Sequence, residues 1–452
     1  MSLLSTPLAA LRSLLKRRFV RDVLTLQAGS VVGTGIGFLK SVLFARLLGI
    51  ESFGVYATVL AFTGTASIFI NFGQNQAALT FFAERHARKD RPGMGTVLKY
   101  YLTLSSLGAF ILLCLAVSAP QLSAIFYNDA SIGIFARLAF FATLVGSFDS
   151  FFTIQLQAVR EIRTLTILEN INALLQLFLM ATLLFAGKGI AGIFLGLGIS
   201  NIVMLCVYAI VSRKYLRSRE IPGTVESVRS SESIRPFLKQ GLWIAVDKNI
   251  GNLFPQSFFF VLSLFSTPAI VGIAQLAFKI SSLPKTLLLP QIVRMSTTVL
   301  PAIHARSRSE LRKAWALLVK HALFFHAIAS IGCLVVLPPL TLFLYGWEFS
   351  DVIPPMLWLI LIHIISALNV GNSPLYRLLG KARVPALFGM IALPLQLACF
   401  VILLGLMPPL PAFVWTVLLV YVSNLWLNGR LYRELKNENV KQTPPYKDGG
   451  GG

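Results

Sequence analysis

Charge is what this sequence has least of. Only 13% of its 452 residues are Asp, Glu, Lys or Arg, about half the share found in a soluble domain. With 56% hydrophobic residues, it cannot fold as one. Acidic residues are scarcer still: 18 Asp and Glu stand against 40 Lys and Arg, for a net charge of +22. That balance suits either nucleic acid or a membrane surface. Here the basic residues lie between apolar segments, and the sequence carries no nucleic-acid module, so no nucleic acid partner is expected. Cysteine is also sparse. Cys114, Cys206, Cys333 and Cys399 each sit inside an apolar run, with no C-x-x-C and no nearby His, which reads as packing and leaves no metal or cofactor to expect. The chain has no Asp-x-Asp and no sizeable loop on one side. That counts against a membrane glycosyltransferase or ligase, and an enzyme is not expected. No filter-like segment points to a channel.

What the chain has in abundance is apolar runs of about 20 residues, the length that crosses a bilayer as a helix. The fold class expected is an all-α polytopic membrane protein with about twelve spans, near 23–46, 55–82, 97–119, 132–155, 164–186, 189–211, 238–264, 269–295, 314–338, 353–376, 384–406 and 409–429. The first run is too long for a signal-peptide core and lacks a small-residue cleavage site. Residues 1–22 form a basic N-terminus. Leu residues there are mixed with Arg12, Lys16, Arg17, Arg18 and Arg21, as in an interfacial amphipathic helix or a topogenic tail. Very short breaks at Gly187-Lys188, Ser266-Thr267-Pro268 and Pro408-Pro409 make antiparallel neighbours of the helices they join. The polar, basic stretch 212–237 divides 23–211 from 238–429, two six-helix bundles, and 430–452 is a basic tail. Lys and Arg cluster in alternate loops: Arg85/Arg88, Arg160/Arg163, Arg213/Lys214, Arg306/Arg308, Arg377/Lys381 and the tail. By the positive-inside rule both termini are cytoplasmic.

The stretch from Phe44 to Arg88 carries the most specific pattern. An apolar segment ends at Phe44-Ala-Arg-Leu-Leu-Gly49, a polar break Ile50-Glu-Ser-Phe-Gly54 follows, and a second apolar segment closes on Arg85, Arg88 and Lys89. A fainter copy recurs 218 positions on (304 − 86 = 218): His304-Ala305-Arg306 maps to His86-Ala87-Arg88, and Gly272-Ile273 maps to Gly54-Val55. This suggests a duplication of about half the chain. With an even number of spans per half, the repeats are parallel and their pseudo-twofold axis runs along the membrane normal.

Ala45-Arg46-Leu47-Leu48-Gly49, Phe53-Gly54-Val55-Tyr56-Ala57 and Asn71-Phe72-Gly73 together resemble the hairpin of the polysaccharide, or O-antigen, flippases. These are a branch of the superfamily that also holds the multidrug and toxin extrusion proteins. The acid common in the last motif is Asn71 here, and the base that usually follows is missing at Thr80-Phe81-Phe82.

Ionisable residues inside spans are costly and mark a cavity or a partner. Lys248 and Lys279 lie far from the ends of spans seven and eight and read as cavity residues. Lys40 and Lys285 read equally as cavity residues or as snorkelling ones, and Arg46, Arg137 and Arg294 as snorkelling. Asp247 cannot share a helical face with Lys248, since adjacent residues differ by about 100°, and pairs with another helix. Acids are few: Asp149, Glu169 and Asp247. His326 and His363 are candidates for proton coupling or for plain packing. Asn71/Gln74/Asn75/Gln76 and Asn170/Asn172/Gln176 read either as sugar contacts or as interhelical hydrogen bonds. A cationic cavity selects an anionic substrate.

The resemblance implies that this substrate is an undecaprenyl-diphosphate-linked oligosaccharide, moved from the cytoplasmic to the outer leaflet of a bacterial inner membrane by alternating access. Lys248, Lys279, Lys40, Lys285 and Asn71 would face it. Asp247, Asp149 and His363 are the candidates for H+ or Na+ coupling, membrane lipids surround the chain, and polysaccharide polymerase and ligase machinery acts downstream. The rival on the same fold is a multidrug exporter, which handles cations through buried carboxylates.

Overall fold

The computed structural model describes residues 18–68, 74–87, 90–159, 161–218, 235–289 and 308–436, with the single positions 293, 300 and 303. Every regular element among them is helical. The first group comprises α1 (Arg18–Ile68), α2 (Gln74–Ala87), α3 (Arg91–Tyr127), α4 (Ala130–Ala158), α5 (Ile162–Leu183) and α6 (Gly189–Ser218). The second comprises α7 (Arg235–Phe265), α8 (Pro268–Ser281), α9 (Arg308–Tyr345), α10 (Ile353–Ser366), α11 (Asn372–Leu378), α12 (Arg383–Leu406), α13 (Pro409–Ser423) and α14 (Leu425–Lys436). Most of the basic N-terminus, the centre of the linker, Asn71, Arg294 and His304 lie outside the described residues.

Eight stretches among the described residues are long and apolar enough to cross a membrane. Two of them fold back on themselves. In α1 the helix is interrupted at Gly49, with φ 71° and ψ 174°, a conformation that L side chains rarely adopt. The rings of Phe44 and Tyr56 then lie 5.7 Å apart, where 12 residues of straight helix would separate them by about 18 Å. The same reversal occurs at Gly187, with φ 75°. It brings Gly196 of α6 so close to Met180 of α5 that a methyl on Gly196 would stand 2.8 Å from the Met180 nitrogen. Both returns fall where the sequence has its short polar breaks.

Alternate turns give the molecule two chemically different ends. The ion pairs Arg85–Asp90 (2.9 Å), Arg377–Asp247 (3.4 Å) and Lys381–Glu434 collect at one, the basic end. The other holds the tight turns at Gly49, Asn128 and Ser266. There the two bundles close on each other. Gly54 meets the start of α8 so tightly that an added methyl would lie 2.0 Å from the Pro268 carbonyl oxygen, and a methyl on Gly272 would lie 3.0 Å from Gly54 Cα. Gln275 Nε2 donates to the Ala57 carbonyl at 2.9 Å. Both pairs are separated by 218 positions (272 − 54 and 275 − 57), so residues related by the internal repeat touch one another, as residues beside a twofold axis must. Phe62 stacks on Phe260 with centroids 6.0 Å apart, Tyr127 and Ser263 share a hydrogen bond at 3.0 Å, and Phe53 packs edge-on to Phe349. One apolar core runs from α1 through α7, α8, α10 and α13, with Ala57, Ala61, Ala274 and Ala277 fully buried at the crossing. Small residues of this kind allow helices to approach closely in lipid.

The structure differs from the sequence expectation at the C-terminus. The last span ends at Ser423, and residues 430–436, assigned to the tail, belong to α14; residues 437–452 lie outside the described residues. Leu427, Leu431 and Leu435, four residues apart, are buried against Leu311, Trp315 and Leu375. One apolar stripe on a charged helix suffices to dock it.

Candidate functional site

Lys40 lies on the first leg of α1, where its aliphatic stem is half-buried. Its Nζ donates to Gln176 Oε1 of α5 at 2.8 Å. Gln176 Nε2 in turn donates to Asn172 Oδ1 at 3.2 Å and Asn201 Oδ1 at 3.4 Å, and Asn201 Nδ2 donates to the Ala142 carbonyl at 2.8 Å. This chain ties α1, α5, α6 and α4 together through amides. The sequence marked Asn172 and Gln176 as a polar cluster; Asn201, alone in an apolar run, was missed.

Lys279 of α8 is exposed, and its Nζ crosses to the first bundle, donating to the Gly37 carbonyl at 2.9 Å. Gly37 is three residues from Lys40, one helical turn on the same face. Neither lysine has a carboxylate within salt-bridge distance among the described residues. Two cations from opposite bundles thus meet around one turn of α1 with only amide and carbonyl oxygens to hold them, an arrangement that attracts an anion.

Lys285 lies one to two turns further toward the basic end, in the short helix 283–289. Its Nζ donates to Tyr421 Oη at 3.0 Å and stands 5.1 Å from the centre of that ring. Tyr421 Oη also bonds His363 Nδ1 at 3.0 Å. An ammonium only donates, so Tyr421 accepts from Lys285, while the direction of its bond to His363 is set by the imidazole tautomer. His363 and His326 are both buried.

The remaining candidates sit apart from this group. Asp247 Oδ2 accepts from Ser373 Oγ of α11 at 2.8 Å and from Arg377 at 3.4 Å. Its partners are therefore on another helix, and the offset of about 100° from Lys248 keeps the two residues on different faces. Lys248 is exposed, five residues beyond Trp243, whose ring carries Arg383 at the basic end. Five residues correspond to about 7.5 Å of helix. Asp149 is 9% exposed, and its Oδ1 has no hydrogen-bond partner. Arg46 donates to the Phe343 carbonyl at the tight-turn end, and Arg137 to the Ala116 carbonyl at 3.3 Å.

Two helical bundles that meet at one end through small residues, with polar groups on their facing surfaces, form the fold seen in transporters of the MOP superfamily. Solved structures agree. An inward-facing multidrug resistance transporter of the MATE family superposes with TM-score 0.68 at 16% identity, covering 92% of this chain and 96% of that one. An outward-facing MATE transporter gives 0.65 at 15%, covering 94% and 98%. A MOP superfamily transporter from Pyrococcus furiosus, described as having a binding pocket of reversed polarity, gives 0.65 at 16%, covering 92% and 96%. The chain belongs to the polysaccharide biosynthesis protein family, whose profile matches residues 19–305. No curated protein sequence matches the chain.

Proposed function

We propose that the protein is a flippase that carries a lipid-linked, undecaprenyl-diphosphate oligosaccharide from the cytoplasmic to the outer leaflet of a bacterial inner membrane, by alternating access. The observation that carries this reading is the meeting of Lys40 and Lys279 between the bundles without a carboxylate. A diphosphate supplies the missing negative charge, and the amides of Asn172, Gln176 and Asn201 suit sugar hydroxyls. Lys285 and Lys248 extend the cationic surface toward the basic end, which the positive-inside rule assigns to the cytoplasm together with both termini. Asn71 belongs to the same proposal by motif.

Outward movement of each negative charge across an inside-negative membrane gains about 2.3 kcal/mol per 100 mV. Of the three candidates for H+ or Na+ coupling, Asp247 is held by Arg377 and His363 by Tyr421. Asp149, with an oxygen free of partners, is the one available to take up an ion. The product would pass to polymerase and ligase machinery on the outer side.

The test is flipping of a fluorescent undecaprenyl-diphosphate oligosaccharide in proteoliposomes by the wild type, Lys279→Ala, Lys40→Ala and Lys248→Ala. Losing one charge-assisted contact to the diphosphate costs about 1.5–3 kcal/mol, so transport by Lys279→Ala and Lys40→Ala falls roughly tenfold or more at subsaturating substrate. Undiminished flipping in both would remove the lysine site. No flipping by the wild type, together with export of a cationic dye, would replace the function with multidrug export.

A further inference from the structure

A second site lies away from the space between the bundles. Along the outer side of the second bundle, α12, α13 and α14 enclose a groove of about 560 Å³, a volume typical of ligand pockets. Its lining is apolar for most of its length, with Leu387, Ile391 and Leu395 on one wall and Leu419 opposite. Phe388 and Trp426 stack with their rings 5.3 Å apart and 10° from parallel. Lining residues on α12 run from Arg383 to Gln396. Those 13 steps cover about 20 Å, against about 15 Å for the hydrocarbon of one leaflet.

Charge stands at one mouth only. Arg383 and Arg430 both line the groove at the basic end. Each guanidinium is held over an indole, Arg383 on Trp243 and Arg430 on Trp426, both at 5.4 Å. Neither has a carboxylate within salt-bridge distance among the described residues. Stacking fixes the planes and leaves the in-plane N–H donors free for a phosphate. Tryptophans at this level match the headgroup zone of a bilayer.

We infer that the groove between α12, α13 and α14 binds one anionic glycerophospholipid of the surrounding leaflet, with its phosphate on Arg383 and Arg430 and an acyl chain along α12. A neutral lipid would satisfy the apolar wall and waste the two guanidiniums. A soluble anion would satisfy the guanidiniums and leave some 20 Å of apolar groove uncovered. Only an amphiphile with a negative head meets both. Because Arg430 belongs to α14 and Arg383 to α12, the lipid bridges the amphipathic C-terminal helix to the bundle.

The experiment uses the full chain, purified in detergent and exchanged into mixed micelles of phosphatidylglycerol and phosphatidylcholine, with retained lipid counted by native mass spectrometry. The expected result is one tightly retained phosphatidylglycerol, preferred about thirtyfold over phosphatidylcholine if each arginine contributes as a basic residue at an anionic surface does. Arg383→Gln/Arg430→Gln should bring that preference close to one. Ala392→Trp, which fills the groove, should abolish retention of both lipids, while Arg433→Gln on the exposed flank of α14 leaves the preference intact. The inference is overturned by an unchanged preference in the double variant, by retention in Ala392→Trp, or by equal retention of the two lipids in the wild type. It is also overturned if inorganic phosphate raises the unfolding temperature as much as phosphatidylglycerol does, which would mean an anion site alone.

Discussion

Replacing Gly54 by alanine should open the end at which the bundles meet. The new methyl would lie 2.0 Å from the Pro268 carbonyl oxygen, 2.2 Å from its carbon and 2.7 Å from the Ala269 nitrogen. These are backbone atoms, which cannot swing aside. Gly272 faces the same contact, but its methyl would meet Gly54 Cα at 3.0 Å, Gly54 N at 3.2 Å and Phe53 Cδ1 at 3.2 Å, gaps that a few tenths of an ångström relieve. Overpacking a tight contact costs about 1–3 kcal/mol, so Gly54→Ala belongs at the top of that range and Gly272→Ala at the bottom. The cost falls only on the closed arrangement. Both substitutions also gain up to about 1 kcal/mol of helix propensity, but that gain is common to open and closed forms and cancels from their ratio. The closed population should therefore fall about 150-fold relative to the open one in Gly54→Ala and about fivefold in Gly272→Ala. Spin labels at Glu51 and Ser350, both exposed at this end, report the separation by double electron–electron resonance in a background free of the four cysteines. The label distance should lengthen clearly in Gly54→Ala and little in Gly272→Ala. An unchanged distribution in Gly54→Ala, or a larger effect from Gly272→Ala, would refute the reasoning.

Three further outcomes follow from the geometry. Tyr421→Phe removes the oxygen that joins Lys285 to His363 and strands the buried His363 and the half-buried Lys285, so thermal unfolding in detergent should show a loss of about 1–3 kcal/mol. Leu431→Ala empties a fully buried position under α14 and should cost about 2–5 kcal/mol, seen as rapid hydrogen exchange confined to 425–436. Imposing an inside-negative potassium diffusion potential on proteoliposomes should speed outward flipping of the diphosphate-linked lipid and slow inward flipping; rates indifferent to the potential would mean compensating charge moves with the substrate.

The fold was legible because lipid imposes few solutions. Apolar runs of span length had to be helices, and the polar breaks at Gly49, Gly187 and Ser266 had to be turns since nothing longer separates the runs. The 218-residue offset was visible at Gly54 and Gly272, but its meaning, a contact on the axis, was not: periodicity relates positions without bringing them together. The C-terminal helix was missed for a different reason. Hydropathy averages α14 into a polar tail, whereas only the four-residue spacing of Leu427, Leu431 and Leu435 marks its buried stripe. At the candidate site, the cost of a charge in a span marked Lys279, with Lys248, as a cavity residue and left Lys40 and Lys285 open between the cavity and snorkelling. The partners of Lys40, Lys279 and Lys285, namely Gln176, the Gly37 carbonyl and Tyr421, were hidden because a backbone carbonyl, an amide or a phenol within an apolar run carries no signal of its own.

The contact between Gly54 and Gly272 bears on how such a chain can change over generations. In a symmetric pair of identical halves, a residue on the axis faces its own copy, and one codon change alters both sides at once. Even a methyl would be doubled there. Joining the halves into a single chain uncouples the two sides, so each position can be sampled alone against an unaltered partner. The same freedom extends outward from the axis: Lys40, Lys279 and Lys285 have no counterparts at the repeat-related positions Phe258, Ala61 and Ser67. The internal surface has become chemically lopsided while the seam that hinges it has stayed glycine on both sides.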